Sequence, residues 1–170
     1  IAAASFSIYA YEALKNELES IDELRFIFTS PTFNSDKTKK EKREFYIPKL
    51  NRERNLFGSD YEIRLRNQLT QKAIARECAD WIRRKVKFKS NISSGSMNSF
   101  LNVADKEETF TYMPFNEFTT TELGLDRGDN LCPMIVGLPS TPETDMFLKY
   151  FNELWRDSDK FADVTESVIE

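Results

Sequence analysis

The sequence of 170 residues contains no histidine. Within these residues, that absence excludes catalysis by Ser-His-Asp or Cys-His sets, zinc sites with histidine ligands and a phosphohistidine intermediate. Cysteine is scarce as well, since Cys78 and Cys132 are the only two. Their number and spacing suggest neither a disulfide framework nor a zinc cluster. We therefore expect buried thiols in a reducing cytoplasm, and no metal site.

Long hydrophobic runs are also missing. No apolar run approaches the roughly 18 residues that a membrane-spanning helix needs, so we expect no membrane association. Glycine and proline are few, while 40% of the residues are hydrophobic and 14 are phenylalanine, which is typical of one packed domain. The sequence opens on "IAAASFSIYA", without an initiator Met or a basic leader, so we expect a fragment of a longer chain.

Positive charge is concentrated in the middle of the chain. Residues 36–89 contain seventeen of the 24 Lys and Arg residues against eight acidic residues, a local net charge of +9. Residues 90–170 contain five basic against fifteen acidic residues. The net charge of −4 therefore conceals a basic segment, and only the local charge bears on an anionic partner.

The first 28 residues have the pattern of a strand–helix–strand unit. "IAAAS" predicts a buried strand, and "SIYAYEALKNELESI" predicts an amphipathic helix with Ser7 as its N-cap. Leu24–Phe28 predicts a second buried strand. Because such a unit implies parallel pairing, we expect an α/β fold with a mixed β-sheet flanked by helices.

A charged insertion, residues 30–58, has neither helical nor strand periodicity. A long helix is then predicted from Ser59 or Asp60 to about Arg84, and "KVKFK" predicts a half-buried third strand. The predicted buried stripe of the helix consists of Leu65, Leu69, Ala73, Ile74, Cys78, Trp81 and Ile82.

The last third of the chain predicts a hairpin, a strand and a closing helix. "SFLNVA" and "TFTYM" bracket the turn "DKEE", and "LCPMIVGL" predicts an apolar strand. Ser140 and Glu143 have the spacing of a capping box, and the apolar stripe of the helix that follows is Phe147, Tyr150, Phe151 and Leu154. We expect residues 1–156 to form the domain and residues 157–170 to be an acidic linker toward a following domain.

Several phrases of the sequence carry a family resemblance over nearly the whole chain. They are "AAASFSIYAYEALKNEL", "MPFNEFTTTELGL", "NLCPMIVGLPSTPETDMFLKYFNELWRDS" and the ending "DVTESV". Together they resemble the phospholipase D-like domain at the N-terminus of some bacterial superfamily 2 helicases, including those with Snf2-type motors. The resemblance implies a phospholipase D-like fold and a helicase motor domain in the same chain. ATP and Mg²⁺ would bind to that motor, and the resemblance also allows a homodimer.

Active members of this superfamily carry the motif His-x-Lys-x4-Asp, which the sequence does not preserve. With Asp105 as the aspartate, Asn98 occupies the position of the nucleophilic histidine and Phe100 that of the phosphate-binding lysine. Glu117 occupies the position of an asparagine in a later family motif. Neither an amide nor a phenyl ring can supply the lost chemistry. Two alternatives stay open: Asp105 as the first residue of the "DKEE" turn, which we favour, and "GSMNSF" as a poorer copy of the later motif.

The candidate nucleic-acid contacts are basic residues interleaved with aromatic ones, as a stacking platform requires. They are Lys37, Lys39, Lys40, Lys42, Arg43, Phe45, Tyr46, Lys49, Arg52 and Arg54 in the insertion, with Arg83 and Arg84 on the long helix. With Arg66, Arg76, Lys85, Lys87 and Lys89 they would form a continuous phosphate-tracking surface. The alternative is a charge run that is only solvated.

These observations predict a catalytically inactive accessory domain of an ATP-dependent helicase, one that contacts nucleic acid, DNA rather than RNA. A protein-interaction or autoinhibitory docking module is the alternative. An active phosphodiesterase is the third candidate, disfavoured by the absent nucleophile.

Overall fold

A computed structural model describes residues 1–31, 60–125 and 135–169. Within these ranges the main sheet has the strand order β1-β3-β4-β9. Its strands are β1 Ala2–Ala3, β3 Leu24–Phe28, β4 Val86–Asn91 and β9 Phe161–Asp163. The first three are parallel and β9 is antiparallel to β4, so the prediction of an α/β fold with a mixed sheet is confirmed.

Two smaller sheets adjoin the main one. A parallel pair consists of β2 Ser5–Phe6 and β7 Glu117–Phe118. An antiparallel sheet consists of β5 Leu101–Ala104, β6 Thr109–Met113 and β8 Val136–Leu138, in that order. The helices of the described ranges are α1 Ile8–Ala13, α2 Lys15–Ser20, α3 Asp60–Lys85, α4 Pro142–Arg156 and α5 Thr165–Ile169.

The predicted strand–helix–strand unit is present, but its single predicted helix is two short helices, α1 and α2, which meet at Leu14. The Ser7 side chain accepts a hydrogen bond from Tyr9 N at 3.2 Å and caps α1, as its position in the sequence predicts. The second predicted strand, Leu24–Phe28, is β3, and it pairs in parallel with β1.

Side chains of the main sheet alternate between two faces, as the period of a strand requires. Phe26 of β3 and Phe88 of β4 belong to a core cluster that includes Trp81 of α3. Ile27 points the other way and belongs to a second cluster with Phe151 of α4. We call the first side, covered by α1, α2, α3 and α5, the α3 face, and the second the α4 face.

The predicted buried stripe of α3 is confirmed only in its C-terminal half. The buried members are Ile74, Cys78, Trp81 and Ile82. Leu69 is 58% exposed and Ala73 is also exposed, while the side chain of Leu65 lies outside the described residues. Contacts with α1 explain the difference. Tyr11 Oη donates to Glu77 O at 3.4 Å, so α1 lies beside the C-terminal half of α3.

The start and the stripe of α4 also differ from the prediction. Its N-cap is Thr141 rather than Ser140, and Thr141 N donates to Thr144 Oγ1 at 2.9 Å to close the capping box. Ser140 Oγ instead accepts from Thr109 N at 3.2 Å. Phe151 is buried, but Tyr150 is 49% exposed. Trp155 packs on Phe151 in its place, with ring centroids 5.9 Å apart.

Residues 157–170, for which the sequence predicts an acidic linker, include part of the main sheet. β9 pairs with β4, and Phe161 and Val164 are buried. Thr165 Oγ1 accepts from Phe88 N at 2.9 Å, which fixes the start of α5 to the sheet. Only a few apolar residues of this segment are buried, so its sequence has no helical or strand periodicity from which β9 and α5 could be predicted. The described part of the segment therefore belongs to the folded unit, and a following domain stays a prediction.

Candidate nucleic-acid interface

Most of the predicted nucleic-acid contacts lie outside the described residues. Ten of the twelve, from Lys37 to Arg54, belong to the insertion. The described residues on either side show where the chain enters the insertion and where it leaves it. β3 ends at Phe28 on the carboxyl edge of the parallel strands, and α3 returns antiparallel to β4, which follows it directly. The chain therefore enters the insertion from the carboxyl edge and leaves it at the N-terminal end of α3.

The degenerate motif positions have different roles in the fold. Phe100 is 2% exposed and its backbone bonds to Ala2 in both directions at 2.9 Å. Its ring packs against Phe147 and Phe151 of α4. A lysine at this position would bury its charge among phenyl rings, which is costly. Phe100 is thus a core residue on the α4 face.

Asp105 is the cap of the β5–β6 turn, as the favoured alternative predicts. Its Oδ1 accepts from Glu107 N at 2.7 Å and Glu108 N at 2.8 Å. These two backbone donors hold the pKa of Asp105 below its ordinary value. The extended backbone between Phe100 and Asp105 spans about 16 Å, so the structure does not bring Asp105 to Asn98.

Asn98 and Glu117 are exposed near the carboxyl end of β1. Beside them lies a polar cluster that the sequence did not indicate. Ser99 Oγ donates to Asn116 Oδ1 at 2.8 Å, and Asn116 N donates to Glu122 Oε1 at 3.0 Å. The groups in these contacts are neutral or acidic, so the cluster does not supply positive charge to a phosphate.

Arg83 and Arg84, the two predicted contacts that the structure describes, both form ion pairs. Arg83 Nη1 lies 2.8 Å from Asp80 Oδ1, and Arg84 Nη2 lies 2.8 Å from Glu19 Oε1. The second pair joins α3 to α2 and holds the pKa of Glu19 below its ordinary value. All four side chains are partly or largely exposed, so these pairs add little stability. Although its ion pair adds little stability, the Arg84 side chain points toward α2.

The lysines after Arg84 do not continue the surface of α3. Lys85 Nζ donates to the carbonyls of Glu19 and Ile21 at the end of α2. Lys87 and Lys89 alternate with Val86 and Phe88 of the core, so they lie on the α4 face. Lys87 and Lys89 therefore do not extend the helical part of the predicted phosphate-tracking surface, because the main sheet lies between them. The part of that surface in the insertion lies outside the described residues.

The cations of the α4 face are packed against aromatic rings. Arg25 Cζ lies 5.4 Å from the ring centroid of Phe151 and 5.7 Å from that of Trp155. Lys89 Nζ lies 5.3 Å from the Trp155 centroid and donates to Trp155 O at 2.7 Å. That carbonyl is at the C-terminal end of α4, where positive charge is favourable. These cations thus have a structural role.

On α3 three exposed cations share one side of the helix. Lys72, Arg76 and Arg83 are spaced i, i+4 and i+11, which places them within about 40° of each other around the axis. Arg76 and Arg83 border an open groove of about 420 Å³ whose other lining residues are Ala75, Ala79, Asp80 and Ile169. Lys72 was missed from the sequence, although its helical spacing from Arg76 was a readable signal.

The chain was compared with known proteins. No family model, curated protein or solved structure matches it. The resemblance to phospholipase D-like domains of helicases therefore stays a prediction, and the structure shows an α/β fold with a mixed sheet.

The remaining chemistry of the described residues is limited. Cys78 is buried, and desolvation raises its pKa to about 12, so its thiol is not a nucleophile at neutral pH. Among the residues that the structure describes, no group of three or more His, Cys, Asp and Glu side chains could hold a metal ion. None of the helices in the same ranges is long and apolar enough to cross a membrane.

Proposed function

We propose that the protein is a catalytically inactive, phospholipase D-like accessory domain of an ATP-dependent helicase, and that its basic middle segment holds or positions nucleic acid, DNA rather than RNA. The observation that carries this proposal is the row of exposed cations on α3, a helix that the chain enters directly from the insertion. ATP and Mg²⁺ would be bound by the motor domain, since no Walker motif lies in these residues.

The loss of catalysis is supported by the absent histidine and by the roles of the degenerate positions. Phe100 fills the core and Asp105 caps a turn, so neither side chain is available for a reaction. A purified protein that hydrolyses a generic phosphodiester, at constant specific activity through chromatography, would contradict this part of the proposal.

The nucleic-acid contact is tested by fluorescence anisotropy with labelled duplex DNA, single-stranded DNA and duplex RNA at low and high salt. Phosphate contacts release counterions, so binding should weaken steeply as salt rises. The test variant replaces Lys39, Lys40, Lys42 and Arg43 with Ala. Its matched control replaces Lys106, Lys149, Arg156 and Lys160, which removes four positive charges from exposed positions of the acidic third.

We expect the insertion variant to bind more weakly than the control, with a shallower salt dependence. Absence of binding at low salt, or equal affinities for the two variants, would overturn the proposal. Tighter binding of RNA than of DNA would overturn the preference for DNA.

A docking module is the second candidate function, and one observation favours it. Two large apolar side chains, Val103 and Tyr112, are exposed on the same face of the small antiparallel sheet, as the pairing of β5 with β6 requires. An exposed apolar face is typical of interaction surfaces. If this face docks on a motor domain, Val103→Lys with Tyr112→Lys should change the basal ATPase rate of the longer protein. Ile92→Lys, an exposed residue outside the sheet, is the control; an unchanged rate in both would count against docking.

A further inference from the structure

We infer that Lys72, Arg76 and Arg83 form a phosphate-binding row that contacts the backbone of duplex DNA without reading its sequence. This inference rests on the proposed nucleic-acid contact and assigns it to particular residues of α3. It also predicts that the cations of the α4 face take no part.

The geometry of the row fits a polyanion rather than a single ion. From Lys72 to Arg83 the helix rises about 16 Å. The phosphates of one DNA strand wind around the duplex, so a straight row of this length, laid along the strand, meets about two or three of them. Three cations on one line can therefore contact successive phosphates of one strand.

The surface of α3 between the cations allows the DNA backbone to approach the helix closely. Ala75 and Ala79 lie between the charged residues and line the groove with Ile169 of α5. Their side chains are single methyl groups, so no bulky side chain of α3 stands between the ligand and the basic groups. No exposed aromatic ring lies among the residues that line the groove. Contact through phosphates rather than through stacked bases is therefore expected.

The three cations of the row differ in whether they already form an ion pair within the protein. Within the described part of the chain, no ion pair engages Lys72 or Arg76. Arg83 is paired with Asp80 at 2.8 Å, but a guanidinium has five N–H donors and this contact uses only one nitrogen. Asp80 is the acidic member of the groove and opposes an anionic ligand.

This arrangement gives two isosteric tests of sign. Asp80→Asn keeps the shape and removes the opposing charge, so it should strengthen binding. Ala75→Glu places a carboxylate in the groove and should weaken binding, whereas Ala75→Gln has the same size without the charge and should bind as the wild type does. A role that depended only on shape would affect Glu and Gln alike.

The main experiment measures binding of a labelled duplex oligonucleotide as a function of salt for Lys72→Ala, Arg76→Ala and Arg83→Ala combined. The slope of log K against log salt should fall by about 0.9 for each lost contact, close to 3 in total. Affinity at low salt should fall by about tenfold or more. Thermal unfolding of each variant verifies that it is folded, and the effect should not depend on DNA sequence.

The outcomes separate this inference from the proposed function. If the wild-type protein binds in a salt-sensitive way and the triple variant keeps its slope and affinity, the row is not the contact, and the proposed nucleic-acid contact then rests on the insertion alone. If the wild-type protein does not bind at low salt, both fail. Binding that depends on DNA sequence would overturn the inference as well.

Discussion

The two faces of the main sheet carry positive charge in different ways. On the α3 face the sheet itself is apolar, and the cations project outward from the far side of the covering helix. On the α4 face Arg25 and Lys89 arise from the strands and lie against the rings of Phe151 and Trp155. The same residue types, close together in the sequence, are thus exposed to solvent on one side and packed against aromatic rings on the other. What distinguishes them is what each cation contacts.

The largest difference in stability between the two faces should appear when the tryptophan of each face is replaced by alanine. Trp81 is fully buried on the α3 face, and its Nε1 donates to Leu18 O at 3.2 Å. Trp81→Ala should lower the free energy of unfolding by about 3–5 kcal/mol. Trp155 is half-buried and mainly holds cations, so Trp155→Ala should cost less, about 2 kcal/mol. Urea denaturation measures both, and a larger loss for Trp155 would reverse this ranking.

A smaller effect should separate two lysines of β4. Lys89→Met removes both the contact with the Trp155 ring and the hydrogen bond to its carbonyl. We expect a loss of about 1–2 kcal/mol in unfolding free energy. Lys87 is exposed on the same face, and Lys87→Met should change stability by less than about 0.5 kcal/mol. Equal losses from the two substitutions would contradict the structural role of Lys89.

The smallest effect on stability should come from Asp105. This acidic residue, like Lys89, has a charge with a structural role, because its carboxylate accepts hydrogen bonds within a turn. Its lowered pKa means that the carboxylate stabilises the fold fully above the ordinary pKa of Asp, near 3.9, and that this contribution disappears as pH falls through the lower folded value. Asp105→Ala should lower Tm slightly at pH 7, and the difference from the wild type should shrink below about pH 4. Asp105→Asn retains an acceptor for the turn and should lose less. A pH-independent difference would contradict the turn role.

The sequence predicted the local elements well because they depend on local chemistry. Ser7, the run from Leu24 to Phe28 and the "DKEE" turn are each specified by capping, burial or turn preferences within a few residues. The prediction was weaker where a neighbour decides burial. Leu69 continues the helical stripe of α3 but is exposed, because the packing with α1 lies farther along the helix.

The candidate site could be predicted only in part, and for a related reason. Composition locates the basic segment, but it does not reveal which face of a sheet a residue occupies. Lys87 and Lys89 follow Arg83 and Arg84 within a few residues, yet strand alternation turns them to the opposite face. Likewise, Phe161 and Val164 lie in an acidic stretch, and only the pairing of Phe161 with β4 and the burial of both side chains reveal that this stretch belongs to the folded unit.

The most direct test of the central claim compares Lys72 with Lys87. Both are exposed lysines of the described chain and lie on opposite sides of the main sheet. Reductive methylation of the protein, with and without duplex DNA, followed by mass spectrometry, measures the protection of each amine in one sample. If the row on α3 binds DNA, the duplex should protect Lys72 and leave Lys87 as reactive as before. Protection of Lys87 with unchanged reactivity at Lys72 would contradict it.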